Sequence, residues 1–201
     1  MGVKLVSASG GSVEINPPAT ASNFVATMPA GTGTVSVNGV SSNIVSGTAQ
    51  NSTSGTSIDF TGIPSWVKRI TVMFNGVSTN GSSVKQIQIG DSGGIETTSY
   101  SASSAYFNTS GAFNNIQATS GFIINSVTAT DAIAGSFIIS CLDTTTNTWS
   151  FNGSAATGNT ATALLLSGGA KSLSATLDRV RITTVNGTDT FDAGSINILY
   201  E

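Results

Sequence analysis

From residue 56 onward, apolar and polar side chains alternate over short stretches with the period of two that a half-buried strand requires. In 66–74, Trp66, Ile70, Val72 and Phe74 fall on one face, and Asn75-Gly76 follows as a turn. Ile87 and Ile89 alternate inward in 85–90. Segments 94–100, 121–127 and 135–142 read as further strands, the last with Phe137-Ile138-Ile139 apolar on both faces, as in a central or interface strand. Trp149 and Phe151 share a face and end at Asn152-Gly153. In 177–185, Val180, Ile182 and Thr184 oppose Arg179, Arg181 and Thr183; Asn186-Gly187 then turns the chain into a return strand at 196–200, a predicted hairpin. Roughly eight strands at a spacing near ten residues predict an antiparallel β-sandwich, jelly-roll-like, over 56–201.

Residues 1–55 follow a different pattern. Alternation is weak from Val3 to Ile15, Pro17-Pro18 and Pro29 break it, and 31–55 is mostly Gly, Thr, Ser, Val and Asn with no aromatic residue. Of the 14 aromatic residues only Phe24 precedes residue 56. Such a stretch offers little to a core of its own, and the expectation is an extended N-terminal arm or stalk that pairs its backbone with neighbouring chains.

Composition strengthens the all-β reading. Val, Ile and Thr total 60 residues against eight Leu, and β-branched side chains lose rotamer freedom in helices but pack well on a pleated surface. Leu, Ile, Val and Phe number 49 of 201, enough for a lean core and too many for a disordered chain. Seven Lys and Arg against ten Asp and Glu leave no phosphate-neutralising surface, so no nucleic-acid partner is expected. Lys68-Arg69 and Arg179/Arg181 read as solvated strand positions. The N-terminus carries no apolar run of signal length, and the longest apolar runs, such as 163–166, are a handful of residues; no membrane insertion is expected. Cys141 is single and flanked by apolar residues, which suggests a buried thiol in a chain made in a reducing cytoplasm.

Catalytic candidates are weak. Gly90-Asp91-Ser92-Gly93-Gly94 matches the segment around the nucleophile of trypsin-like proteases, but that chemistry needs an imidazole to take the serine proton, and the chain has no histidine. A turn is expected there. Asp189 and Asp192, with Asp178 on the preceding strand, are the nearest approach to paired carboxylates or a calcium site, and turn hydrogen bonding accounts for them more simply. One Cys and no His provide no zinc or redox-metal set. No enzyme activity and no cofactor are expected. The remaining signal is binding: Tyr100, Tyr106, Phe107 and Phe113 cluster in a Ser, Ala, Asn and Gly-rich stretch between two strands. Such rings stack on sugars or anchor a protein contact; the simpler reading is that they close one end of a sandwich or pack between subunits.

Three stretches carry a family resemblance. Residues 4–24, continuing to Met28-Pro29-Ala30, resemble shaft segments of bacteriophage tail fibres. Residues 60–74 (FTGIPSWVKRITVMF) resemble the opening of the globular module at the ends of such fibres, and 177–201 (LDRVRITTVNGTDTFDAGSINILYE) its C-terminal signature. The middle, 92–173, has no such match. The resemblance implies a virion structural protein of a tailed phage, made in the host cytoplasm, usually a homotrimer. The arm would contact other virion proteins and the sandwich would be displayed for attachment to a host-surface glycan or protein. A capsid decoration or head-fibre protein without receptor binding is the alternative, and a depolymerase a distant third.

Overall fold

The computed structural model describes residues 3–6, 10, 12–15 and 44–201, other than 127 and 159–162. The chain divides into two units, Met1–Ser41 and Ser42–Glu201. In the first, β1 (Val3–Val6) pairs antiparallel with β2 (Ser12–Ile15), from Val3 opposite Ile15 to Val6 opposite Ser12. Most of the expected arm, 16–43, lies outside the described residues.

The second unit is an all-β sandwich of two antiparallel sheets. The large sheet runs in the order β10 (Phe113–Ala118), β9 (Ser101–Asn108), β14 (Ala163–Ser172), β13 (Thr148–Gly158), β12 (Ala132–Asp143), β6 (Arg69–Thr79), β16 (Phe191–Tyr200). Beyond β16, β3 (Val45–Ser46) and β4 (Gln50–Asn51) each add a short ladder. Residues 44–51, grouped with the arm by their composition, thus form one edge of this sheet. The small sheet runs β11 (Phe122–Ile124), β7 (Lys85–Asp91), β15 (Arg179–Thr184), β5 (Ser57–Thr61), with β8 (Gly94–Ile95) also on β7.

The alternation identified the inward faces correctly: Ile70, Val72 and Phe74 on β6, Ile87 and Ile89 on β7, Phe137 and Ile139 on β12, and Trp149 and Phe151 on β13 are all buried. β12 lies in the middle of the large sheet, as its two apolar faces suggested. The rings of Phe74, Phe137, Phe151, Phe122 and Tyr100 form a continuous chain through the core, with centroids 4.5–5.7 Å apart at each step. Phe122 stacks on Phe151 at 4.5 Å, which joins the small sheet to the large one.

Two local expectations fail because an Asn-Gly pair permits a turn but does not force one, and at a third such pair the turn forms but joins different sheets. β6 continues through Asn75-Gly76, where Gly76 (φ +66°) and Val77 form a bulge opposite the single residue Gly194. β13 runs through Asn152-Gly153, and a Cβ on Gly153 would lie 2.5 Å from the Ser136 carbonyl, so the glycine serves close strand approach. Asn186-Gly187 does turn the chain, but β15 and β16 belong to different sheets and form a corner of the sandwich instead of a hairpin. Alternation tells which face of a strand is buried; it carries no record of the partner strand. Trp66 precedes β6 and stays half-exposed against Tyr200, with ring centroids 5.9 Å apart.

Candidate binding surface

The segment 100–113 is not a loop. Its Ser and Ala residues make β9, an ordinary pleated strand with Ala102, Ser104 and Tyr106 pointing in and Ser101, Ser103, Ala105 and Phe107 pointing out. Small residues on both faces hide the alternation from a hydropathy reading. Asn108 closes the hairpin to β10: its Oδ1 accepts from the Ala112 amide and the Ser110 hydroxyl, both at 2.8 Å. The register then sets Phe113 beside Phe107, Asn115 beside Ala105 and Gln117 beside Ser103.

The four aromatic candidates therefore separate. Tyr100 and Tyr106 are buried at 2% and 9% exposure, so their rings are part of the core rather than of a surface. Phe107 and Phe113 are exposed at 41% and 62%, with ring centroids 5.0 Å apart and planes tilted by 49°. On the other side of β9, Leu164 is paired with Phe107 and Leu166 with Ala105, and both leucines are exposed. Composition gave no hint of these leucines, since a Leu-Leu-Leu run reads as core; the pleat turns Leu165 inward and its neighbours outward.

Along the same outer face, an open groove of about 590 Å³ runs over Ser101 and Ser103, between Gln117 and Thr119 of the β10 side and Gly168-Gly169 of β14. None of its lining residues is charged. Gly168 leaves its part of the floor without a side chain, since a Cβ there would meet nothing closer than the Phe151 carbonyl at 3.7 Å; Gly169 pairs with the inward-facing Ala102, and a Cβ on it would lie 2.5 Å from the Ser101 carbonyl. Asn115 donates to the Ser103 hydroxyl at 3.0 Å.

Ionisable groups elsewhere serve the scaffold. Lys171 is 4% exposed, pairs with Glu96 and sits 5.4 Å from the Tyr100 ring centroid. Burial pushes the Lys85 ammonium below its ordinary value, against the opposing fields of Asp131, Asp189 and Asp192. Lys85, wholly buried, donates to the Ser126 hydroxyl at 3.3 Å, and Ser126 lies 3.5 Å from Asp131 Oδ2. Asp131 Oδ1 and Asn125 Oδ1 are buried with no hydrogen-bond partner among the described residues.

The protease-like segment is the tight turn between β7 and β8: Asp91 accepts from the Gly93 amide at 2.8 Å and from the Ser174 hydroxyl at 2.6 Å. Those bonds, Ser174 first, hold its carboxyl below the usual range. Asp189 accepts from Asn186 Nδ2 at 2.6 Å and from the Ser83 amide at 2.9 Å, and Asp192 accepts from the Ser78 hydroxyl. Asp178 pairs with Arg179, and Asp59 takes both arms of Arg181 at 2.7 Å. Cys141 is half-buried rather than buried, because the strand ends there at a bulge between Cys141 and Asp143. Among the described residues no group of three His, Cys, Asp or Glu is arranged to hold a metal, and no helix is long and apolar enough to cross a membrane.

Comparison of the chain with protein-family models, with curated proteins and with solved structures finds no match.

Proposed function

We propose that this chain is a virion structural protein of a tailed bacteriophage, a tail-fibre subunit that displays its β-sandwich for attachment to the host surface, and that it works as a homotrimer. The resemblance of 4–24, 60–74 and 177–201 to fibre segments suggests the class. The observation that carries the display role is a separation within the sandwich. The chain joins the sandwich on the β3 edge, whereas the exposed Phe107 and Phe113 lie at the β9–β10 edge, seven strand spacings away. At ~4.8 Å per spacing that is about 34 Å. Such a module has one edge to hang from and a far edge free to meet another surface.

The test uses the full chain, fluorescently labelled, mixed with a panel of bacterial strains and recovered by centrifugation. Saturable retention on a subset of strains is expected, together with a solution mass by light scattering near three times the 20.2 kDa of the chain. Retention on no strain, with binding to assembled capsids instead, overturns attachment in favour of a decoration role. A mass of one chain at micromolar concentration removes the trimer.

A further inference from the structure

We propose that the groove over β9 is a subsite for a neutral glycan chain, with the Phe107–Phe113 pair as a stacking platform for a sugar further along the same chain; this rests on the attachment reading above and names the ligand class. Charge sets the first limit. The groove has no charged lining residue, and the cation nearest in sequence, Lys171, points inward to Glu96. The chain as a whole carries a net charge of −3. An acidic polysaccharide or a phosphate would lose its water here and find no compensating cation.

Hydrogen-bonding capacity sets the second limit. The side chains of Ser101, Gln117 and Thr119 make no hydrogen bond with any described residue, so hydroxyl and amide groups stand free as both donors and acceptors beside a floor that Gly168 keeps clear. Sugar hydroxyls, which donate and accept at once, match that inventory.

The platform adds the third. Phe107 lies four residues along β9 from Ser103 on the same face, about 14 Å at ~3.4 Å per residue. That span exceeds one sugar ring, so the ligand is an oligosaccharide laid along the strand, with polar contacts at one end and the apolar face of a ring on Phe107 and Phe113 at the other. The volume of about 590 Å³ is in the range of small-molecule sites.

The experiment titrates the ¹⁵N-labelled full chain with maltotetraose, chitotetraose, a mannotetraose and a galactotetraose, and with tetragalacturonate as the acidic control. At least one neutral tetrasaccharide should shift the amides of Ser101, Ser103, Gln117, Gly168 and Gly169 saturably, and the acidic one should not. Gly168→Val puts a strand-compatible side chain into open space and should weaken binding at least tenfold while the spectrum stays dispersed. Phe107→Ser with Phe113→Ser should weaken it several-fold and leave the groove amides responding. No shift with any neutral sugar, preference for the acidic one, or unchanged affinity in Gly168→Val overturns the glycan groove. Cell retention is measured in parallel to keep the two readings apart. Retention that survives Gly168→Val overturns the groove and keeps attachment, whereas sugar binding without retention on any strain keeps the groove and overturns attachment.

Discussion

The hydroxyl of Tyr100 and the backbone of Ile89 satisfy each other. Tyr100 Oη accepts from the Ile89 amide at 2.9 Å and lies 3.1 Å from the Ile89 carbonyl and 2.9 Å from that of Glu96. A side chain that precedes β9 thereby completes the ladder of β7 in the other sheet. Tyr100→Phe keeps the ring on Phe122 but leaves the Ile89 amide buried without a partner. The expected cost is about 1–3 kcal/mol by urea unfolding. Burial also pushes the Tyr100 phenol well above its ordinary value of 10.0. A raised folded value means that the stabilisation is complete below pH ~10 and is lost as pH rises beyond it. Tyr100 should therefore ionise only as the protein unfolds in alkali, which absorbance at 295 nm will follow.

Lys85 makes the opposite prediction. Its folded value lies below the ordinary value of 10.5, so the unfolded chain binds the extra proton and stability from this residue rises with pH towards about 10.5. Lys85→Met should flatten that rise. The single change leaves the Asp131 carboxylate buried without its cation and is expected to cost about 3 kcal/mol. Lys85→Met with Asp131→Asn should recover most of that loss, giving a large coupling energy in a double-mutant cycle.

Acid stability should depend on Asp91. Hydrogen bonds from Ser174 and Gly93 lower its carboxyl, so its contribution is present above the ordinary value of 3.8 and disappears as pH falls through the lower folded value. Melting temperatures of Asp91→Asn and the parent, measured from pH 2 to 6, should differ most at the upper end and converge in strong acid.

Two glycines separate geometric necessity from open space. Gly194 has φ +89°, and a Cβ there would lie 2.4 Å from the Gly76 carbonyl. Gly194→Ala is expected to destabilise by about 3 kcal/mol, from backbone strain and the displaced bulge together. Gly168→Ala should be neutral or stabilising by ~0.5 kcal/mol, since glycine in a strand interior carries excess chain entropy. Thermal melts of the two variants side by side will show the contrast.

Sequence reading recovered the fold class and the inward residues of β6, β7, β12, β13 and β15, because burial on one face of a strand leaves a period of two in the chain. It missed β5, β9, β10 and β14 with its outer leucines; in β9 Ser and Ala occupy both faces, and in β14 an unbroken apolar run masks the pleat. It also read Tyr100 and Tyr106 together with Phe107 and Phe113, although pleat parity alone separates Tyr106 from Phe107. The groove had no sequence signal at all. It arises where Ser103, Gln117 and Gly168 meet across three strands, and that register is set by long-range pairing.

One consequence concerns synthesis. β16 follows every other strand along the chain, yet it lies inside the large sheet, between β6 and the short β3 and β4 ladders. Until it emerges, β6 presents a bare edge, and the core lacks Phe191, Ile196 and Ile198. The nascent sandwich cannot close stepwise as its strands leave the ribosome; it waits for residues 191–200 and then locks the two halves of the chain at once. A copy terminated before residue 191 would hold an open, adhesive edge that the cell's proteases and chaperones can recognise.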